Sequence, residues 1–205
     1  MTFESGLSFF LAIFIFGITP GPGIFAIIAR SIMHGSKSCF MLCLGMTISD
    51  MLYLIAACLG LAVIASTWSE FFTVVRIAGA MYLFYLAWKM WTAPVNVDPK
   101  NKPETHKAML ASFIQGFLIS ASNPKVILFY IAFLPTFMDL TALNTQDIVL
   151  ASALTLVALM AGLMLVAQFA SSARAFLKSE RSAKRLNKGA GSIMAGAGLY
   201  LITRH

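Results

Sequence analysis

Long apolar segments follow one another along this chain, and polar residues concentrate in the connectors between them. About 20 apolar residues at 1.5 Å each suffice for a helix to cross the ~30 Å hydrocarbon core of a bilayer. Six segments fit this pattern: residues 7–29, 39–67, 71–91, 109–138, 148–172 and a shorter one at 189–203. The pattern therefore predicts an all-α integral membrane protein with six transmembrane helices.

Composition agrees with this class. The chain has 205 residues, of which 59% are hydrophobic and only 11% are charged, whereas about 25% are charged in a typical soluble domain. Its mean hydropathy is +0.83. The first apolar run is longer than the core of a signal peptide and has no basic residues before it, so we expect no cleavable signal.

The formal charge of +7 is spread unevenly over the connectors. The charged residues of the N-terminus and of the second and fourth connectors are all acidic: Glu4, Glu70, Asp139 and Asp147. Twelve of the fifteen basic residues lie in or beside the other three connectors: Arg30, Lys37, Lys89, Lys100, Lys102, Lys107, Arg174, Lys178, Arg181, Lys184, Arg185 and Lys188. The positive-inside rule then predicts cytoplasmic odd-numbered connectors and outward-facing termini.

This distribution also bears on partners. The basic charge is mainly a topology signal, so nucleic acid is not an expected partner. Membrane lipid is one, because each basic residue of the stretch 174–188 near an anionic leaflet is worth about 1 kcal/mol.

The first and fourth segments are each interrupted by a proline at a similar depth. Thr19-Pro20 lies about fourteen residues into the first segment, and Asn123-Pro124 about fifteen into the fourth. The third and sixth segments share Ala-Gly-Ala, at residues 78–80 and 195–197, followed closely by Tyr and Leu. Chance likeness of short strings is the alternative to an internal repeat.

A repeat of three segments forces its two copies into opposite orientations. We therefore predict one transmembrane domain, residues 1–205, built from two inverted three-helix repeats with discontinuous first and fourth helices. The first half covers residues 1–92, a cytoplasmic linker residues 93–108, and the second half residues 109–205.

A proline inside a membrane helix removes one backbone donor, so the freed polar groups must face the protein interior or a cavity. Thr19 and Asn123 can each bond the loosened backbone or a ligand. The half-helix after each break presents unpaired N–H groups and a positive dipole end, which suit a carboxylate. A kink stabilised only by packing is the alternative.

Three charged residues lie well inside the segments: Asp50, Arg76 and Lys125. Intramembrane charges cost about 2.5–3.5 kcal/mol each, and they commonly mark transport pathways. Asp50 could carry a coupling proton, and Lys125 could pair with Asp50 or with a substrate carboxylate, since their depths differ by ~7 Å. A structural ion pair without a transport role is the alternative. Arg76 lies nearer the outer end of its segment and is expected to snorkel.

At these residues the chain resembles a known family, the lysine exporter family (LysE/RhtB). The motifs that carry the likeness occur in order at specific spacings over nearly the whole chain. They are Thr19-Pro20-Gly21-Pro22, Gly35, Gly45, Ser49-Asp50, Asn123-Pro124-Lys125, Leu128-Phe129 and Ala132-Phe133-Leu134-Pro135 followed by Phe137.

The resemblance implies proton-driven secondary export of small amino acids or their derivatives across a bacterial inner membrane, with frequent homo-oligomers. It assigns substrate-binding roles to Thr19, Pro20, Gly21, Pro22, Asn123, Pro124 and Lys125, and proton coupling to Asp50. The chain departs from the family pattern at Gly23, where Asn or Asp is usual, at Ser49 in place of Gly, and at Thr136 in place of Gln.

Three other functions were compared with export of amino acids. Export of a divalent cation calls for several intramembrane carboxylates or histidines, and only Asp50 is present, so no metal or cofactor is expected. A membrane enzyme acting as a thiol relay calls for a reactive cysteine pair, and Cys39 and Cys43 are spaced by four residues, which is not the usual redox arrangement. A structural scaffold leaves Asp50, Lys125 and both breaks without a role. We therefore expect a transporter and not an enzyme.

Overall fold

The computed structural model describes residues 1–59, 69–92, 106–123, 125–126, 129–130, 134, 137, 144–172 and 180–203. Within these residues the regular structure is helical, and no strand is found among them. The helices are α1 (Phe3–Ile18), α2 (Pro22–His34), a 3-10 turn (Ser36–Cys39), α3 (Phe40–Cys58), α4 (Ser69–Thr92), α5 (His106–Ala121), α6 (Thr145–Ser172) and α7 (Glu180–Thr203).

Local signals explain where the first two helices begin and end. The Thr2 hydroxyl accepts the Ser5 N–H at 3.2 Å and so caps the start of α1. Pro22 occupies the first position of α2, where its missing N–H costs nothing. Gly35 ends α2 with φ of 83°, a left-handed conformation that favours glycine, and its N–H bonds the Ser31 carbonyl at 2.8 Å.

Two of the described helical segments are long and apolar enough to cross a membrane: Ser36–Cys58, which joins the 3-10 turn to α3, and α6. The pair α1 and α2 passes the same test together, with a bend of 63° at the break between the two helices, and adds a third span if the bent pair is taken as one span. The outer surface agrees with a lipid environment, since large apolar side chains are exposed on it, such as Phe3, Leu52, Trp88, Leu110 and Phe169.

The described helices can be compared with the apolar segments read from the sequence. Helix α4 covers the predicted segment 71–91. Helix α7 begins at Glu180, so the basic residues 181–188 are helical, whereas the sequence assigned them to a connector. The prediction was wrong there because positive charge marks a membrane side and does not stop a helix. The rest of the second segment, residues 60–67, lies outside the described residues.

Helices from distant parts of the chain pack side by side. The main pairs are α3 with α5, α4 with α7, and α6 with both α1 and α2. Helices α3 and α5 touch through their backbones, because a Cβ atom on Gly45 would lie 2.0 Å from the Phe113 carbonyl oxygen. One on Gly116 would lie 2.0 Å from the Leu42 carbonyl oxygen. Small residues allow this close approach, which is common between membrane helices.

Candidate functional site

The break between α1 and α2 exposes the carbonyl end of one helix beside the amide end of another. Helix α1 ends at Ile18, and Thr19 caps it from an extended conformation. The Thr19 N–H contacts the carbonyl oxygens of Ile15 and Phe16 at 3.1 and 3.2 Å, and its hydroxyl donates to the Ile15 carbonyl at 2.7 Å. These bonds satisfy only part of the carbonyl groups that every helix end leaves unpaired.

Lys125 supplies two further hydrogen bonds at this helix end. Its ammonium donates to the carbonyl oxygens of Phe16 at 2.8 Å and Thr19 at 2.9 Å. The same nitrogen lies 4.3 Å from the centroid of the Phe16 ring, within cation–π range. A cation at a helix C-terminus also opposes the negative end of the dipole. Lys125 therefore caps α1 across more than one hundred residues of sequence.

Asn123 organises the second break. Helix α5 ends at Ala121, and residues 125 and 126 are again helical. The Asn123 side-chain oxygen accepts the Lys125 N–H at 3.1 Å, as an N-cap residue does, and its carbonyl accepts the Val126 N–H at 3.0 Å. Pro124, which the sequence also assigned to the site, lies outside the described residues.

The end of α5 is capped from another helix as well. The Tyr53 hydroxyl of α3 donates to the Ala121 carbonyl at 2.7 Å. Both helix ends at the breaks thus receive a donor from a side chain distant in sequence, Lys125 at α1 and Tyr53 at α5. Backbone groups freed inside a membrane protein need such partners.

Asp50 is buried between α3 and α5. Its side chain is 5% exposed, and it accepts a hydrogen bond from the Ser120 hydroxyl. The backbone contact of the two helices at Gly45 and Gly116 brings these side chains together. A buried carboxylate needs a hydrogen-bond partner, and Ser120 provides one.

These polar residues meet in one small cavity. The polar part of its lining consists of Thr19, Asp50, Ser120, Asn123 and Lys125. Asp50 and Lys125 form no direct ion pair there, since among the described residues Lys125 bonds the α1 carbonyls and Asp50 bonds Ser120. The ion pair between Asp50 and Lys125 that the sequence suggested is therefore not formed. Each of the two residues has its own hydrogen-bond partners, and both line the same cavity.

The backbone of the break forms another part of the wall. Gly21 and Gly23 line the cavity, and Gly21 precedes α2 without a side chain that could cap the helix. The first N–H groups of α2 therefore have no capping acceptor from that side chain, next to a lysine ammonium. Pro20 and Pro22 shape the break but do not line the cavity.

The cavity is small and otherwise apolar. Its volume is about 30 Å³, room for roughly one water molecule. Met46 contributes to this closure, because a Cβ atom on Gly23 would lie 1.9 Å from the Met46 terminal methyl. The other apolar wall residues are Phe16, Ile24, Val126, Leu159 and Leu163. The structure thus holds the site closed to anything the size of an amino acid.

Sequence reasoning missed several members of this site. Ser120 and Met46 line the cavity, and Tyr53 caps α5 beside it. Ser120 had a detectable signal, since it is a hydroxyl in an apolar segment three residues before Asn123. Met46 and Tyr53 had none, because an apolar or aromatic residue in a membrane helix usually contacts lipid or core.

The structure also describes the cysteines considered for a thiol relay and the side chains considered for a metal site. Cys39, Cys43 and Cys58 are all buried, and none of these three described cysteines forms a disulfide. A reactive thiol needs access to its reaction partner, and burial opposes that access. Among the residues that the structure describes, no group of three His, Cys, Asp or Glu side chains is arranged to hold a metal ion. The side chain of Arg76 lies outside the described part of the chain.

Comparison with known proteins identifies the family. The profile of the LysE type translocator family matches residues 14–205. The chain is 31% identical over 194 residues to the leucine efflux protein of Enterobacter sp. (strain 638), covering 92% of this chain and 90% of that protein. It is 34% identical over 134 residues to the leucine efflux protein of Salmonella typhi, covering 65% of this chain and 63% of that protein.

An uncharacterized membrane protein of Synechocystis sp. is 27% identical over 202 residues, which cover 98% of this chain and 97% of that protein. No solved structure matches the chain significantly. The family profile spans nearly the whole sequence, including both breaks, Asp50 and Lys125. The chain therefore belongs to the LysE type translocator family.

Proposed function

We propose that this protein is a proton-coupled secondary exporter of small, apolar amino acids across the bacterial inner membrane. The observation that carries the proposal is the small cavity in which the ends of α1 and α2, a buried carboxylate and a lysine ammonium converge. Discontinuous helices whose ends face a central site are the usual substrate sites of secondary transporters. Thr19, Pro20, Gly21, Pro22, Asn123, Pro124 and Lys125 are the proposed substrate-binding residues.

The substrate carboxylate is proposed to bind at the start of α2. Gly21 brings no side chain to this helix start, so a carboxylate can approach the first N–H groups closely. A helix N-terminus contributes up to about 2 kcal/mol to such binding in a partly buried site. The Lys125 ammonium adds a full charge, and binding exchanges its bonds to the α1 carbonyls for bonds to the ligand.

Asp50 is the proposed proton carrier. It is buried in the same cavity as Lys125, so its protonation removes a negative charge that the ammonium senses. A deprotonated Asp50 would pair with the ammonium group of the amino acid on the cytoplasmic side, and protonation of Asp50 from the outer side would remove that partner and favour release, as proton-driven export requires. Coupling requires that binding of the proton changes the affinity of the site for the substrate.

A cavity of about 30 Å³ cannot admit an amino acid, so transport needs an opening motion. The helix contacts support two related halves that could move against each other. If the repeats exchange, the contact of α3 with α5 corresponds to that of α6 with α1. Each of these contacts occurs in the fold, and α4 with α7 corresponds to itself.

The six-span arrangement, the division at residues 93–108 and the outward-facing termini remain part of this proposal. The positive connectors support the orientation. The 63° bend between α1 and α2 and the end of α5 at Ala121 support discontinuous first and fourth spans.

The proposed cargo is a neutral amino acid with an apolar side chain. The apolar wall of the cavity would contact such a side chain through Phe16, Ile24, Leu159 and Leu163. Curated relatives named leucine efflux proteins support the same class. The wall carries one acid and one lysine, which leaves no additional charge to pair with a charged cargo side chain among its described residues.

Efflux from preloaded cells tests the proposal. Cells are loaded with a mixture of dipeptides, and mass spectrometry follows every amino acid released into the medium. We expect faster release of a few apolar amino acids with the intact protein. Asp50→Asn and Lys125→Ala should abolish this release while still reaching the membrane.

Lys107→Ala is the matched control, because Lys107 is an exposed cation outside the cavity. It should export at the wild-type rate. If the protein is shown to reach the membrane and yet no amino acid is released faster, amino-acid export is refuted and the cavity binds another cargo.

A further inference from the structure

A second, larger cavity lies further along the same helices. Its volume is about 370 Å³, within the ~300–1,000 Å³ range of ligand pockets, whereas the central cavity is far below it. Side chains from α2, α3, α4, α5 and α7 form its wall. The polar lining residues, hereafter the vestibule residues, are Arg30, His34, Lys89, Gln115 and Asn187.

We propose that this vestibule is a second binding site, which receives the carboxylate of the amino acid before it enters the central cavity. The inference rests on the proposed function for the direction of travel. Arg30 and Lys89 bring positive charge to the wall, and no acidic residue is among its described lining residues. A positively charged wall attracts a carboxylate, and its described side chains include no negative charge that would repel one.

Arg30 is held in a fixed position. Its Nε donates to the Ser38 carbonyl at 2.8 Å, and one terminal nitrogen donates to the Ser112 hydroxyl at 2.7 Å. These bonds anchor the guanidinium to both the 3-10 turn and α5. A planar guanidinium held in this way is suited to carboxylate recognition, since little further ordering is needed on binding.

Asn187 adds a neutral polar group to this wall. Its side chain is 4% exposed and lines the vestibule. It has both donors and acceptors to offer, so it can bond a carboxylate or an ammonium group of an amino acid.

The vestibule and the central cavity are lined by neighbouring residues of the same helices. Leu42 lines the vestibule and Met46 the central cavity, one helical turn apart on α3. On α5 the corresponding neighbours are Gln115 and Ser120. The Met46 thioether packs over Gly23, and a methionine side chain is unbranched and readily changes rotamer.

The position of the vestibule fits the entry side of an exporter. Arg30 and Lys89 lie at or beside connectors that the positive-inside rule places in the cytoplasm, where cargo for export is found. Lys89 is exposed and Asn187 is buried, so the wall extends from the surface into the helix bundle.

Direct binding tests this site without relying on transport. Radiolabelled leucine is titrated into purified full-length protein carrying Lys125→Met, which disables the central site. Leucine amide, which lacks the carboxylate, is the competing probe. We expect saturable leucine binding that leucine amide does not displace. Lys89→Gln or Asn187→Leu should each raise Kd about tenfold, the factor that corresponds to 1.4 kcal/mol.

Lys107→Gln is the matched control, since it removes an exposed cation outside the vestibule, and its Kd should not change. Asn187→Asp should weaken leucine binding more than Asn187→Leu, because it adds a negative charge to the wall. If leucine does not bind, or if leucine amide competes equally well, the vestibule does not recognise a carboxylate and the proposal is refuted.

Transport then separates this proposal from the proposed function. Leucine uptake into vesicles with the cytoplasmic face outward should show a raised KM with unchanged maximal rate for Lys89→Gln. Leucine binding without transport by the intact protein would refute the export function alone. The same uptake is compared in vesicles with and without phosphatidylglycerol. If the raised KM of Lys89→Gln appears with phosphatidylglycerol but not in pure phosphatidylcholine, the vestibule binds an anionic lipid headgroup and the proposal is overturned.

Discussion

The close contact of α3 with α5 makes a sharp prediction for Gly45→Ala. A Cβ atom there would lie 2.0 Å from the Phe113 carbonyl oxygen and 2.8 Å from the Phe117 nitrogen, whereas ordinary contact begins at 3.4 Å. Both neighbours are backbone atoms of a helix, which cannot move individually. The two helices must separate by about 1 Å or more to accept the methyl group.

The expected cost follows from this separation. Overpacking of this kind typically costs about 1–3 kcal/mol, against which alanine gains up to about 1 kcal/mol in helix propensity. We expect Gly45→Ala to lower Tm by several degrees, at about 2–4 °C per kcal/mol for a chain of this size. Export should fall as well, because Asp50 and Ser120 bond across the same contact.

Two glycine variants serve as matched controls. Gly23→Ala would place its Cβ 1.9 Å from the Met46 terminal methyl, an equally short distance, but that methyl ends a flexible side chain and can turn away. Gly189→Ala meets nothing within 4 Å. We expect little change in Tm for Gly23→Ala and a slight rise for Gly189→Ala.

Thermal unfolding of the three purified variants in one detergent is the assay. The order of Tm should be Gly189→Ala, then Gly23→Ala, then Gly45→Ala, with the last clearly lowest. Equal Tm values for Gly45→Ala and wild type would refute the backbone contact of α3 and α5. Equal losses for Gly23→Ala and Gly45→Ala would show that the nature of the opposing atom does not matter.

Three further predictions concern the polar groups at the helix breaks. Lys125→Met keeps the length of the side chain but removes the donor at the end of α1, so the free energy of unfolding should fall by about 1–3 kcal/mol, measured by thermal unfolding. Tyr53→Phe deletes the bond to the Ala121 carbonyl and should cost about 0.5–1.5 kcal/mol, with export in the efflux assay retained. Asp50→Asn can still accept the Ser120 hydrogen bond but cannot change charge. In vesicles it should exchange substrate across the membrane without accumulating it under a proton gradient, and accumulation at the wild-type level would contradict the coupling role.

Parts of the candidate site were readable from the sequence for local reasons. Thr19 and Asn123 stand immediately before prolines, and a proline in the interior of a helix disrupts it. Asp50 and Lys125 are charges in apolar segments, and a buried charge is costly enough to imply an interior position. The structure brings Thr19, Gly21, Asp50, Asn123 and Lys125 to one cavity.

Other parts depended on which helices meet. An ion pair between Asp50 and Lys125 was an attractive expectation because opposite charges at similar depth attract. In the structure the Lys125 ammonium donates to carbonyls at the end of α1, and the Asp50 carboxylate accepts a hydrogen bond from Ser120. The helical start at Glu180 was also missed, since charge patterns report membrane side and not helix length.

The sequence by itself determined the membrane class, the regions in which α1 and α5 end and the identity of the two interior charges. Each of these follows from properties of single residues or short runs: transfer free energy, a missing backbone donor and the cost of burying charge. The tertiary structure alone decided the partners of those groups, the contact at Gly45 and Gly116, and the vestibule at Asn187. Such features depend on how helices distant in sequence pack together, and packing is set by all contacts at once.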